Sequence, residues 1–166
     1  MMQKRKMAAV AAVLCAAAAG AQAQSLPAGL GGYWKITKMI PKKPIAAAGC
    51  TANAAFFSKS ARHSMVLISD RNIVWGTATA TDPGASVSMV PPEQFMADQG
   101  VTSSTLHALE MDHGAKIQVI RLQAPGTLPF DTIIMKDPSS LYFERCGLFM
   151  EAIHSSGFVA PPLPNR

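Results

Sequence analysis

The sequence predicts an all-β protein, a small antiparallel meander barrel of about eight strands with one short helix. Three observations carry this. Apolar and polar residues alternate with period two through most of the chain. Gly, Pro, Asp and Asn interrupt the alternation at hairpin spacing. One stretch alone, "PPEQFMADQG", carries helix start and stop signals. A two-sheet sandwich is the alternative arrangement of the same strands.

Taken in order, "YWKITKMI" (Tyr33 to Ile40) opens the strand series, with Trp34, Ile36, Lys38 and Ile40 on one face and Tyr33, Lys35, Thr37 and Met39 on the other. "PKKP" ends it, because proline cannot donate to a ladder. Residues 45–57 are alanine-rich and fit either a short strand near Cys50 or a helical turn capped by Thr51. "SMVLIS" and "NIVWGTATA" flank Asp70-Arg71 as a hairpin, "TDPG" is a turn, and "ASVSMV" is a further short strand. The helix follows, with Pro92 near its first position, Glu93 in its first turn and Gly100 as terminator; Phe95 and Met96 anchor it. "STLHALEM", "AKIQVIRLQ", "DTIIMKD" and "LYFERCGLFMEAIH" read as the remaining strands, with Gly147 marking a bulge in the last. In "KIQVIRLQ" both faces carry apolar groups.

The N-terminus predicts export. Lys4-Arg5-Lys6 precedes an apolar run from Met7 to Ala19, and Ala21-Gln22-Ala23 is a small-x-small cleavage site. The run is too short to span a bilayer. Residues 1–23 are therefore read as a signal peptide, 24–158 as a single barrel domain and 159–166, rich in proline, as an extended tail. The mature chain is expected in the periplasm or outside the cell, and not as an integral membrane protein. Its charge balance is mild, twelve Lys and Arg against ten acids, which gives no case for a nucleic-acid partner. The bases cluster early, at Lys35, Lys38, Lys42, Lys43, Lys59, Arg62 and Arg71, where they discourage strand-edge pairing and can steer an anionic partner.

Cleavage removes Cys15 and leaves Cys50 and Cys146, an even pair that reads as a disulfide in an oxidising compartment. Closing so long a loop stabilises a fold by about 4–5 kcal/mol on the chain-entropy model. His107 and His113 lie in "LHALEMDHGAK" beside Glu110 and Asp112, but Asp-His-Gly suits a turn and no metal-ligand spacing recurs. The chain also lacks the nucleophile elbow, the phosphate-binding loop and the dinucleotide fingerprint. Neither an enzyme, a cofactor nor a metal is expected.

Gly32-Tyr33-Trp34, heading the first strand soon after a signal, resembles the G-x-W signature of lipocalins and related small exported bacterial barrels. In that family the tryptophan closes the base of the barrel and a basic residue on a late strand packs across it. The resemblance implies this role for Arg145 in "YFERCGL", as a cation–π contact. Thr81-Asp82 falls too early for the family's T-D motif. The expected function is non-enzymatic binding of a small apolar or amphipathic ligand by Trp34, Ile36, Trp75 and Arg145, helped by adaptable methionines such as Met39, Met89, Met111 and Met135. The alternative is a module that binds an envelope protein, such as an enzyme inhibitor or immunity protein, with its barrel filled and its affinity in loops and basic surface.

Protein recovered from the cell envelope is expected to begin at or near Gln24 and to weigh two hydrogens less than its reduced form. Two freely alkylated thiols before reduction, or an uncleaved cytoplasmic chain, would overturn the compartment assignment.

Overall fold

Nine alternating stretches form strands in the structure, a computed structural model that describes residues 25–41, 64–114, 116–126, 128–145 and 147–156. The expected signal peptide, Cys50, Cys146, Lys42, Lys43, Lys59, Arg62, the 45–57 stretch and the expected tail lie outside the described residues, and Arg145 is described by its backbone. The strands are β1 (Gly32–Pro41), β2 (Met65–Ile68), β3 (Asn72–Trp75), β4 (Ala78–Thr81), β5 (Ala85–Val90), β6 (Ile117–Leu122), β7 (Thr132–Asp137), β8 (Ser140–Arg145) and β9 (Leu148–His154). Two helices, α1 (Pro92–Gln99) and α2 (Ser103–Ala108), stand between β5 and β6, and a 3₁₀ turn (Ala28–Leu30) precedes β1.

All neighbours pair antiparallel, in the order β4-β3-β2-β1-β9-β8-β7-β6-β5. Alternating direction along that order makes the two edge strands, β4 and β5, run the same way. Only Asp82, Pro83 and Gly84 separate them. They are thus two halves of one bent strand, and the sheet must curl until its edges meet at that corner. Counting β4 and β5 as one leaves eight strands in meander order, with β1 against β9. The result is a curled half-barrel, because β4 bonds only to β3 and β5 only to β6.

The β6–β7 loop packs at the β4–β5 corner. Gln123 N donates to Pro83 O and Gly84 O at 3.2 and 3.0 Å, and the Gly126 backbone lies against Thr79. Phe130, fully buried at the end of this loop, bridges the curl between Trp75 on β3 and Phe143 on β8, at ring-centroid distances of 6.1 and 4.3 Å. Truncating so central an aromatic costs about 3–5 kcal/mol in typical cores.

Period two sends each strand's apolar residues into two cores. Trp34, Ile36, Val66, Ile68, Ile120, Ile133, Leu141, Phe143 and Met150 fill the inner face. Ile117, Val119, Ile134, Tyr142 and Phe149 lie on the outer face under Phe95 of α1 and Leu106 of α2. The two apolar faces of "KIQVIRLQ" are therefore an interior and a helix-covered exterior.

Four local expectations change. "STLHALEM" is helix α2: the Thr102 hydroxyl accepts from Thr105 N, and Leu106 and Leu109, three apart, bury together. The protein thus has a second helix where one was expected. "NIVWGTATA" is a hairpin, β3 and β4, turned at Gly76. "LYFERCGLFMEAIH" is also a hairpin, β8 and β9, and Gly147 (φ 75°) sits in its turn rather than in a bulge. The bulge of β1 lies between Ile36 and Lys38, so Met39 packs inside and Ile40 goes outward to the helices.

The opening "GGYW" locks the ends of the sheet together. Trp34, with no exposed surface, donates its indole N–H to Leu30 O at 2.8 Å and meets the His154 ring edge-on at 4.9 Å. Gly32 has φ 129°, and a Cβ there would run into the His154 ring. Both the backbone angle and the histidine demand glycine. Gly32→Ala is expected to lower unfolding free energy by about 1–3 kcal/mol in urea melts, with part of the loss recovered by adding His154→Ala. Parental stability in the single variant would refute this packing.

Candidate functional site

The inner face fades from core to solvent along one row of the sheet. Ile36 pairs with Ala152, Ala152 with Leu141, Leu141 with Met135, Met135 with Gln118, and Gln118 with Met89. Ile36, Ala152 and Leu141 are at 0% exposure, Met135 and Gln118 are half-buried, and Met89 is 54% exposed. This follows from the curl, since β5 is an edge with nothing beyond it among the described residues.

Where the row opens there is a cleft of about 500 Å³ between Gly29 of the 3₁₀ turn, Met89, Gln118, Met135, Lys116 and Lys136. A second hollow of about 160 Å³ shares Lys116, Met135 and Lys136 and reaches Glu110 and Met111. Lys136 is committed: its ammonium meets Glu110 Oε2 at 2.6 Å and Glu151 Oε1 at 3.3 Å. The hydrogen bond from Lys136 to Glu110 holds Lys136 above its ordinary pKa, and the same bond with the Lys136 charge holds Glu110 below its own. Glu110 makes this contact from the left-handed region, φ 56°. Behind it the buried Tyr142 hydroxyl donates to Leu109 O at 2.8 Å, and burial pushes its pKa up. Lys116 is exposed and has no ion pair among the described residues. Asp137, held by Ser139 and Ser140, also lines the cleft, which therefore offers thioethers, the Lys116 ammonium and one carboxylate.

β5 borders the cleft. Its residues Ser86, Val87, Ser88 and Met89 are all exposed, on both faces of the strand. Alternate backbone groups of an edge strand point away from its neighbour and stay unpaired. "ASVSMV" carries none of the charges or prolines that usually protect such an edge. At the opposite edge, β4, the Gly126 backbone of the β6–β7 loop approaches Thr79, and Thr79 and Thr81 are exposed. This end of the molecule presents a strand edge unpaired among the described residues, soft apolar side chains and the Lys116 charge.

The expected ligand residues fall elsewhere. Trp34, Ile36 and Trp75 all belong to the inner core, and the first two have no surface that a water molecule could touch. Trp75 is half-buried and donates its indole N–H to Ser64 Oγ at 2.7 Å. Arg145 does not join them. It pairs with Leu148, whereas Trp34 pairs with His154, six residues along β9. That separation is about 20 Å of strand. The residue across the Trp34 ring is His154, in "EAIH" at the end of β9.

His107 and Asp112 meet at 2.7 Å and His113 approaches the other carboxylate oxygen at 3.4 Å, with both histidines largely exposed. They close the link from α2 to β6. Among the described residues no group of three or more His, Cys, Asp or Glu could hold a metal ion, and no helix is long and apolar enough to cross a membrane. Compared with family profiles, characterised proteins and solved structures, the chain matches none.

The Asp112 hydrogen bond raises the His107 pKa, and the same bond lowers that of Asp112. A raised histidine contributes stability fully below its unfolded value and loses it as pH rises through the folded one. A lowered carboxylate contributes above its unfolded value and loses it as pH falls through the folded one. The pair thus tightens the α2–β6 link between a limit below the ordinary aspartate value and one above the ordinary histidine value. NMR titration is expected to place His107 above the 6.5 of a free histidine, and Asp112→Asn to return it there. An unshifted His107 in the parent protein would refute the contact.

Proposed function

We propose that the protein is a non-enzymatic binding module of the cell envelope that recognises another polypeptide at the open β5 end of its half-barrel. The observation that carries this is the packed inner core of the described residues. Trp34 and Ile36, which a ligand-holding barrel would present to its cavity, have no accessible surface. A carrier encloses most of its ligand, and the residues best placed to do so are packed against each other. The exposed surface instead combines an unpaired strand edge with Val87 and Met89, at 36% and 54% exposure, beside Lys116. That is the composition of a polypeptide-binding surface: apolar contacts, main-chain hydrogen bonds and a charge that steers.

The expected signal peptide and disulfide place the partner in the envelope or outside the cell. A small amphipathic molecule is the second reading, favoured by the cleft volume of about 500 Å³, which falls in the range of small-molecule sites.

The two readings separate in one experiment. Mature protein, from Gln24 onward, is cross-linked in an envelope extract, the partner is identified and the complex is rebuilt from purified components. A saturable one-to-one complex, with no saturable uptake of a fluorescent fatty-acid probe, is the expected result. Saturable probe uptake that Met89→Asp abolishes, with no rebuilt protein complex, would favour the small molecule.

A further inference from the structure

We infer that β5 is a docking edge onto which an extended segment of the partner adds as another strand of the sheet; this rests on the polypeptide-binding reading above. The half-barrel has two edges of unequal length. β4 has four residues, and the Gly126 backbone lies against it at Thr79. At β5 nothing pairs among the described residues, although the strand is six residues long and held firmly to β6 over its whole length. An edge that is ordered, neutral and bare is a template for another strand.

The side chains of β5 specify the segment. Val87 and Met89 stand on the inner face, in register with Ile120 and Gln118, so the facing positions of an added strand want apolar residues. Ser86 and Ser88 stand on the other face and suit small polar ones. Lys116 lies one residue beyond Ile117, which pairs with Val90, and Arg121 pairs with Ser86. Both ends of the edge are therefore flanked by an exposed cation without an ion pair among the described residues. An acidic residue at either end of the segment meets this charge. A second copy of the chain, pairing β5 with β5 across a two-fold axis, would bring cation toward cation. The occupant is therefore a foreign segment that alternates apolar and small polar residues and ends in acid.

The test uses the mature protein and a phage-displayed library of random peptides. Enriched peptides are expected to alternate apolar and small residues with a flanking acid, and to slow amide hydrogen exchange in Ser86–Met89. The double variant Val87→Lys, Met89→Lys changes two exposed side chains, and circular dichroism is expected to show it folded. It should bind the same peptides weaker by a factor on the order of ten or more. Lys116→Glu should weaken only peptides that carry the acid. Equal binding by parent and double variant, protection elsewhere in the sheet, an empty selection, or a concentration-dependent dimer through β5 would each overturn the docking edge. If the rebuilt partner complex survives the double variant, the edge is wrong and the binding-module reading stands. If no partner complex forms at all, that reading falls.

Discussion

Every strand of this sheet bonds to a neighbour in sequence except across one seam, where β1 lies against β9. Trp34 pairs there with His154 and Pro41 with Leu148, and the bulge at Thr37 sits between. Without that seam the chain is two separate meanders, β1–β4 and β5–β9, each with one apolar face exposed. With it, the inner residues of both arms share a core, and Phe130 touches Trp75 and Phe143 at once. The seam is held at one end by the indole bond to Leu30 and by Ser155 N donating to Tyr33 O at 2.7 Å. Gly32 is glycine because this junction leaves no room for a Cβ.

The same closure creates the open end. A sheet that curls until β4 and β5 share a corner can pair each with one neighbour only. The inner face then passes without a break from Ile36, where no water reaches, to Met89, which is mostly in solvent. Core and exposed surface are here two ends of one cross-strand row. The charge network of Glu110, Lys136 and Glu151 ties α2 and its following loop to the rim of the cleft, so the helices brace the surface they border.

Much of the strand pattern is legible in the sequence because period two survives in "SMVLIS", "ASVSMV", "KIQVIRLQ" and "DTIIMKD". α1 is legible from Pro92 and Gly100. α2 is not, because serine, threonine and histidine have weak helix propensity and its Thr102 cap resembles a strand end. The β8–β9 turn hides in an apolar run whose two halves each alternate. The site was hidden for another reason. Aromatic residues in strands are conspicuous, and Trp34 and Trp75 attracted the ligand assignment, yet large aromatics are mostly buried for their area. Burial depends on which edge the curl leaves free, and that follows from the β4–β5 corner, which reads in sequence as an ordinary turn. The signal that was present is the absence of charge in "ASVSMV".

The β1–β9 seam also orders events in time. A polypeptide emerges from the ribosome with its N-terminus first, so β1 is complete long before Leu148–His154 exists. Until then its tryptophan has β2 on one side and no partner on the other. Contacts between such distant segments form slowly, because the loop between them must be closed before they are rewarded. The arrangement delays closure of the shared core until the last strand is made.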